Sequence, residues 1–221
     1  MPYIDFIEQI HKKTTRDYLG ERVIGVNKAE CAKVAKNFDF NYWDGDRKYG
    51  YGGFHYDGRW RPVADDLAHH YNLKAGQKIL DIGCGKAYLM FEIGQSVSGI
   101  ELAGLDISQY ALDNAKEEMK PNLVQGTAIE LPYQDDSFDL VLSINTLHNL
   151  DLPNLEIALK EIERVGKDNK YIVLDSYRTE EEKVNLMYWQ LTCECFYTPM
   201  EWEWLFDKCG YSGDYSCIYY E

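Results

Sequence analysis

Residues 78–88 read KILDIGCGKAY, and this stretch decides the fold of the chain. Its first five residues form the apolar run of a short buried strand, which Gly83 and Gly85 end in a tight turn. The segment from Ala87 to Ile93 then predicts a helix. A strand that turns directly into a helix is the repeating unit of an α/β sheet.

The segments that follow alternate in the same way between strand and helix patterns. Further strands are predicted at 102–107, 123–125, 138–144, 171–175 and 214–220, and further helices at 109–119, 154–165, 184–197 and 200–210. The fourth strand, FDLVLSI, is almost entirely apolar, as expected of a strand covered on both faces. The alternation predicts an α/β fold: a doubly wound, mostly parallel sheet with helices on both faces.

The composition and pattern of the sequence change near residue 62. Residues 1–62 are rich in polar and aromatic residues with interspersed glycines, which predicts a helical and aromatic N-terminal extension. Residues 63–221 hold the alternating strands and helices and form the second predicted unit. A chain of 221 residues is long enough to bury a core without disulfides or metals.

The composition and net charge of the chain argue against several classes of binding partner. The net charge of −14 repels nucleic-acid phosphates and anionic lipids. No segment approaches the roughly 20 apolar residues of a membrane span, and the N-terminus lacks the character of a targeting peptide. Six scattered cysteines indicate a reduced, cytoplasmic protein, and Cys193-x-Cys195 lacks the second ligand pair of a zinc site. We therefore expect no nucleic-acid, membrane or metal partner.

The glycine turn lies at the carboxyl end of a strand, where an open α/β sheet binds its ligands. Gly83 and Gly85 let the backbone approach a ligand closely. A dinucleotide fingerprint needs a third glycine where this chain has Tyr88. S-adenosylmethionine has no phosphate, and its amino group suits a carboxylate such as Asp81. Asp106, which ends the second strand, can accept hydrogen bonds from the ribose hydroxyls of either cofactor class.

Four segments, taken in order, resemble class I S-adenosylmethionine-dependent methyltransferases of the small-molecule type. They are LDIGCGKAY at 80–88, GLDIS at 104–108, GTAIELPYQDDSFDLVLSINTLH at 126–148 and ALKEIERV at 158–165. The resemblance extends over about residues 76–176 and more loosely over the tail. It implies the fold of that family and S-adenosylmethionine as cofactor.

By position, the resemblance assigns the residues that bind the cofactor in three groups. Those at the methionine end and the sulfonium are Asp81, Gly83, Gly85 and Asn145. Those at the ribose and the flank of the adenine are Asp106 and Ile107. Those along the adenine edge are Thr127, Ala128 and Ile129.

The chain departs from the family pattern at three places. Ala87 stands where the family often has a glycine, and Thr127 where it often has an acid. The family usually has two strands after its last helix, whereas this chain has one predicted strand at 214–220. Either the sheet has six strands, or a partner chain covers its exposed edge, as in a homodimer.

Candidates for the acceptor site lie in the extension and after the later strands. Residues 42–60, YWDGDRKYGYGGFHYDGRW, combine rigid aromatic rings with glycines, which predicts a lid over cofactor and acceptor. His148 is a candidate general base, because its reference pKa of about 6.5 suits proton uptake at neutral pH. Tyr177 is a second catalytic candidate. The candidates for acceptor contact are Tyr49, Tyr51, Arg59, Arg178 and Glu194, with Trp189 and Tyr197 beside the last of these.

Each of these assignments has a structural alternative. The aromatic stretch would otherwise be a surface loop packed on the sheet edge, and His148 would bond to a loop carbonyl. Arg59 and Arg178 would otherwise form surface ion pairs, whereas in a site they would hold an anionic acceptor.

The sequence favours an enzyme that methylates a small polar molecule. Resemblance to tailoring enzymes implies a sugar or a specialised metabolite as acceptor. Two rival classes stay open: a non-catalytic cofactor-binding module that supports a partner, and a nicotinamide-dependent oxidoreductase. Tyr88 disfavours the oxidoreductase, and so does the lack of a recognisable hydride-transfer set.

Overall fold

The computed structural model describes residues 1–11, 17–18 and 27–221, and its centre is a six-stranded sheet. The strands are β1 Lys78–Ile82, β2 Glu101–Asp106, β3 Leu123–Gln125, β4 Phe138–Ile144, β5 Gly166–Asp175 and β6 Asp214–Ile218. All neighbouring strands are parallel, in the order β3-β2-β1-β4-β5-β6. The order reverses between β1 and β4, which makes the carboxyl ends of these strands the ligand crevice. The predicted doubly wound α/β fold is confirmed.

Helices flank this sheet and begin at the capping residues that the sequence offers. The described helices are α1 Glu8–His11, α2 Lys28–Ala35, α3 Phe40–Trp43, α4 Arg61–His70, α5 Tyr88–Ser96, α6 Gln109–Asp113, α7 Leu152–Val165, α8 Glu180–Trp189 and α9 Pro199–Cys209. Ser108, Asp151 and Thr198 each accept a hydrogen bond from a first-turn N–H. None of the described helices has the length and hydrophobicity to cross a membrane.

One predicted helix is shorter than expected because a tertiary contact takes over its backbone. The helix predicted at 109–119 is α6, which ends at Asp113. The N–H of Lys116, which would continue it, donates to the carbonyl of Lys86 in the glycine loop (3.4 Å). The chain beyond α6 is therefore folded back against that loop.

The helix predicted at 184–197 is wrong in its second half. It is α8, which begins earlier and ends at Trp189. Beyond it the N–H groups of Glu194 and Cys195 donate to the carbonyl of His148 (2.9 and 3.1 Å). Cys195 is buried in the core, so the apolar residues of this segment pack as an irregular loop beside the end of β4.

Each face of the sheet is covered by its own set of helices. On one face α7 and α9 bury Leu159 and Trp202, and on the other α4, α5 and α8 bury residues such as Leu67. Successive side chains of β4 alternate between these two cores, with Val141 in the first and Leu142 in the second. Burial on both faces explains why this strand is almost entirely apolar.

The edge of the sheet at β6 is covered by the N-terminus of the same chain. The N–H of Ile4 donates to the carbonyl of Tyr215 (3.0 Å), and the N–H of Tyr215 donates to the carbonyl of Pro2 (3.2 Å). The next residues, Phe6 and Ile7, are buried in the core of that face. Within the described residues the sheet thus has six strands, and the N-terminal residues of the same chain protect its edge at β6. The homodimer stays a prediction.

Candidate functional site

The glycine loop at the carboxyl end of β1 adopts a backbone that admits no side chain at two positions. Gly83 has a φ of +77°, and a Cβ there would lie 2.0 Å from the Thr146 hydroxyl. A Cβ at Gly85 would lie 2.8 Å from the Trp43 ring. Ala87, where the family often has a glycine, also adopts a left-handed φ of 57°. The loop therefore combines close packing with a conformation that L-residues adopt at a cost.

Asp81, the last acidic residue before the loop, is buried with an unsatisfied carboxylate. It is 4% exposed, and its Oδ1 finds no hydrogen-bond partner among the described residues. Burial, assisted by the negative charge of Asp106, raises the pKa of Asp81 to about 7. A buried carboxylate in this state is stabilised by a cation that enters the site. The site thus fits a ligand with an ammonium group at this point.

Asp106, at the end of β2, is held in place by the backbone around it. Its Oδ2 accepts from the N–H of Gly85 (2.7 Å), and its Oδ1 accepts from the N–H of Ser108 (2.8 Å). Burial raises the pKa of Asp106, and these two hydrogen bonds oppose the shift. Each oxygen can accept a further hydrogen bond, as a ribose diol would require.

Three adjoining cavities lie above the carboxyl ends of β1, β2 and β4. The Asp106 cavity, about 230 Å³, is also lined by Ile107, Thr127, Ala128 and residues of the extension. The Asp81 cavity, about 150 Å³, is lined by the glycine loop. The His148 cavity, about 120 Å³, lies towards α8. All three share two lining residues, Asn145 and Tyr51.

The N-terminal extension closes these cavities from above. The Trp43 indole N–H donates to the Ser108 hydroxyl (3.0 Å), and the ring of Tyr51 stacks on Trp43 at 5.3 Å. Phe38 and Tyr42 join them in lining the Asp106 cavity. This geometry supports the predicted lid, whose opening and closing stay a prediction.

Asn145 combines a strained backbone with an unsatisfied side chain at the junction of the cavities. It follows β4 with a φ of 57°, and its Oδ1 has no hydrogen-bond partner among the described residues. The Oδ1 of Asn149, which lines the Asp106 and His148 cavities, is also unpartnered within that part of the chain. Two acceptor oxygens in this state favour a ligand that donates hydrogen bonds.

His148 borders its cavity, but both of its ring nitrogens face Asp175. Its Nδ1 accepts from the Asp175 N–H (3.1 Å), and its Nε2 lies 3.3 Å from the Asp175 Oδ2. Burial lowers the pKa of His148, and the negative charge of Asp175 opposes the shift. The Asp175 carboxylate also accepts from Tyr220 (2.8 Å) and from Gln190. The arrangement holds a neutral ring in a buried network, and the role of His148 as a base stays a prediction.

Several predicted site residues lie away from these cavities. Tyr49 packs on the cluster formed by Cys31, Ala35 and Leu191, and Ile129 packs on the main core. Tyr177 packs on the core of the opposite face. These three therefore contact protein where ligand was predicted, because apolar packing turns their side chains inward.

The charged candidates form ion pairs, as their structural alternative predicts. Arg178 pairs with Glu182 and Glu221 and borders a separate groove at the β6 edge. Glu194 pairs with Lys36. Arg59 binds Asp57 through two nitrogens, yet it lines the Asp81 cavity. Of the weaker candidates, Trp189 lines the His148 cavity.

Sequence reasoning missed His11, Lys86 and Asn149, which lie at the cavities or fasten their cover. The signal for Lys86 was its place directly after the GxG turn, where a buried lysine requires an acidic partner. His11 gave no signal, because it is distant from the motifs in sequence.

The comparisons with known proteins agree with this geometry. A family model described as a methyltransferase domain matches residues 73–210. A demethylmenaquinone methyltransferase from Lysinibacillus sphaericus is 37% identical over 120 residues, which are 52% of this chain and 49% of that protein. A sterol 24-C-methyltransferase from Gibberella zeae is 38% identical over 109 residues, 46% of this chain and 28% of that protein. The chain therefore spans half or less of the length of these two relatives.

A solved structure shares the fold. The YcgJ protein from Bacillus subtilis superimposes with a TM-score of 0.54 at 21% identity, over 66% of this chain and 66% of that one. At this level of identity the superposition shows the fold alone.

Proposed function

Because this chain belongs to the methyltransferase-domain family, whose class I members use S-adenosylmethionine, we propose that it transfers a methyl group from S-adenosylmethionine to a small polar molecule. The observation that carries the proposal is the buried, unsatisfied carboxylate of Asp81 beside the glycine loop. A second buried carboxylate, Asp106, faces the adjoining cavity. The two together suit a ligand with an ammonium group at one end and a ribose diol further along.

The chain's residues divide the work of holding this cofactor. Asp81 would bind the amino group, with Gly83 and Gly85 passing close beneath the methionine end. Asp106 would accept from the ribose hydroxyls, and the backbone N–H groups of Gly85 and Ser108 fix its orientation. When bound, S-adenosylmethionine supplies an electrophilic methyl group. The lid then excludes water and holds the acceptor in line, which is the main requirement of a direct displacement.

The second group of cofactor contacts would lie around the adenine. Ile107, Thr127 and Ala128 line the Asp106 cavity, and Trp43 and Phe38 cover it. Thr127 offers a hydroxyl where the family often has an acid. These contacts would hold the base chiefly by apolar packing, which discriminates size and shape.

The acceptor that we propose is small and carries hydrogen-bond donors. The His148 cavity is small, and Tyr42, Asn149, Gln190 and Thr192 give it polar walls. The Oδ1 atoms of Asn145 and Asn149, which have no hydrogen-bond partner within the described part of the chain, favour hydroxyl or amino groups on the acceptor. A sugar or another hydroxylated metabolite has this chemistry. The names of the two relatives point to a quinone and to a sterol, which are larger and more apolar than this cavity suits.

Calorimetry tests the cofactor assignment. S-adenosylmethionine and S-adenosylhomocysteine are titrated into the wild type and Asp106→Ala, with NAD as the control ligand and Asp113→Ala as a control variant on the exposed side of α6. We expect micromolar binding of both sulfur nucleotides that only Asp106→Ala loses. Binding of NAD in their place would contradict the proposal.

An acceptor screen then tests the activity. Release of S-adenosylhomocysteine is measured with panels of sugars, small hydroxy acids and amines, against an isoprenoid quinol and a sterol. Turnover with a polar acceptor supports the proposed class. Cofactor binding without turnover on any panel would favour the non-catalytic module.

A further inference from the structure

Among the residues that the structure describes, three line both the Asp81 cavity and the His148 cavity: His11, Tyr51 and Asn145. Under the proposed function, the first cavity takes the methionine end of the cofactor and the second takes the acceptor. The methyl group must pass between them, so the shared residues surround the point of transfer. We propose that His11 takes up the proton of the acceptor at this point; the proposal rests on the proposed function.

The chemistry of the three residues selects His11. An asparagine amide takes up no proton at neutral pH, and a tyrosine hydroxyl has a reference pKa of about 10. The reference pKa of histidine, about 6.5, suits a group that accepts a proton at neutral pH and releases it to water afterwards. His11 is thus the shared residue with the chemistry of a general base.

The geometry of His148 favours the same assignment. Its Nδ1 and Nε2 are both directed at Asp175, which is fully buried. A ring held in this way presents neither nitrogen to an acceptor without breaking the network around Asp175. His148 therefore acts as a positioning residue, and its carbonyl anchors the loop after α8 through the N–H of Glu194.

The fold fixes the end of α1 at the junction. Residues 2–4 run alongside β6, and the N–H of Phe6 donates to the Tyr171 hydroxyl (3.4 Å). Ile7 is buried, and the N–H of His11 donates to its carbonyl (3.1 Å). Helix α1 follows directly from the buried Ile7, and its last residue, His11, lies at the cavities. The placement of α1 therefore depends on the hydrogen bonds between residues 2–4 and β6.

The transfer balances with His11 as the proton acceptor. A lone pair on the acceptor oxygen or nitrogen forms the bond to the methyl carbon as the carbon–sulfur bond breaks. The electron pair of the broken bond stays on sulfur, which becomes a neutral thioether. The acceptor's proton passes to the neutral imidazole of His11, which becomes a cation.

Because His11 would lie beside the transferring methyl group, its charge should affect cofactor affinity even when no acceptor is present. S-adenosylmethionine carries a positive sulfonium, whereas S-adenosylhomocysteine has a neutral sulfur at the same place. Protonated His11 would repel the first ligand and not the second. Protonation of Asp81 weakens both ligands through the amino group that they share, and the lost negative charge also weakens the sulfonium ligand further. The part of the pH dependence of the affinity ratio that His11→Asn removes therefore isolates the charge on His11.

Other charged groups line the cavities that His11 lines. Among the residues that the structure describes, they are Arg47 and His148 in the His148 cavity, Arg59 and Asp81 in the Asp81 cavity, and Asp5, Glu8, Arg178 and Glu221 in the groove at the β6 edge. The arginines stay charged throughout the accessible range, and burial lowers the pKa of His148.

The test measures dissociation constants of both ligands by calorimetry between about pH 5.5 and pH 8. In the wild type we expect the affinity for S-adenosylmethionine relative to S-adenosylhomocysteine to fall about three- to tenfold as the pH is lowered. His11→Asn should remove most of the pH dependence of the ratio, whereas His11→Lys should hold the ratio low throughout. His69→Asn, on the exposed surface of α4, should keep the wild-type profile.

The outcomes separate the two proposals. If neither ligand binds the wild type, the proposed function fails. If both ligands bind and the ratio varies identically in the wild type and His11→Asn, the assignment of His11 is overturned. His11→Lys decides the matter if His11→Asn does not fold, because a ratio equal to that of the wild type at pH 8 would also overturn it.

Discussion

The carboxylate of Asp44 in the extension lies 2.6 Å from the ammonium of Lys86 in the glycine loop. Lys86 is 3% exposed and also donates to the carbonyl of Phe54 (2.8 Å). Asp44 also accepts from the Tyr110 hydroxyl (2.8 Å). This ion pair fastens the lid to the loop on which the cofactor would rest. Movement of the lid would therefore separate two charges that are largely shielded from water.

We expect Asp44→Asn to destabilise the fold by about 2–4 kcal/mol, because it leaves the buried ammonium of Lys86 without its partner. Burial works to raise the pKa of Asp44, but its hydrogen bonds with Lys86, Phe54 and Tyr110 outweigh this and lower the pKa. The stabilisation is therefore present above the ordinary carboxyl pKa and is lost as the pH falls through the lowered one.

Urea denaturation measures this loss, with Asp57→Asn as the matched control from the exposed pair with Arg59. The double variant Asp44→Asn/Lys86→Met should be more stable than the sum of its single variants predicts. Additive losses would show that the pair does not act as a unit.

Asp81 should couple cofactor binding to proton release. Its pKa of about 7 means that the carboxyl is partly protonated near neutral pH, and an incoming ammonium group favours the ionised form. Calorimetry of S-adenosylhomocysteine at about pH 6.5, in buffers of different ionisation enthalpy, should report a released proton. Asp81→Asn should abolish the release and weaken binding at least tenfold. A heat independent of buffer would contradict this role.

The same residue should set the pH dependence of the unliganded fold. Because the folded pKa of Asp81 is raised, its ionisation costs stability, which falls as the pH rises from the ordinary carboxyl pKa through about 7. Asp81→Asn should therefore be more stable than the wild type by roughly 1–4 kcal/mol at pH 8. Denaturation curves of the wild type and Asp81→Asn at pH 5 and pH 8 measure the difference in stability. If the variant is instead less stable than the wild type by the same amount at both pH values, a packing defect dominates.

Gly83 and Gly58 separate backbone strain from steric clash, because both have a φ of +77°. A Cβ at Gly58 meets no atom within 4 Å, whereas one at Gly83 lies 2.0 Å from the Thr146 hydroxyl. Both alanine variants should lose about 1–2 kcal/mol to the left-handed backbone. Gly83→Ala should lose a further 1–3 kcal/mol, roughly, from overpacking, and cofactor binding with it. Equal stabilities in thermal unfolding would show that Thr146 moves aside freely.

His148 should stabilise the fold through Asp175. We expect His148→Gln to cost about 1–3 kcal/mol at pH 7, because it leaves a buried carboxylate short of a partner. Burial lowers the pKa of His148, so its contribution is present above the ordinary histidine pKa and is lost as the pH falls below it. The variant should show a flatter loss of stability between about pH 6.5 and pH 5 than His69→Gln, measured by urea denaturation.

The residues that we predict to bind the cofactor lie together because they follow the strand-to-turn motifs directly. Asp81, Gly83 and Asp106 lie within one or two residues of a strand end, and parallel strands bring those ends to one edge of the sheet. Ile129 was predicted from the family resemblance and Tyr49 from the aromatic stretch at 42–60, and both pack outside the cavities. Their orientation depends on neighbours that are far away in the sequence.

What the sequence by itself determined was the sheet, its order of elements and the glycine loop, because these depend on local apolar periodicity and on backbone conformations that glycine favours. The tertiary structure alone decided which side chains meet above that loop. Lys86 finds its partner Asp44 from 42 positions away, and His148 turns both ring nitrogens to Asp175. Such contacts arise when burial forces polar groups to find partners, and no short window of sequence contains both members of the pair.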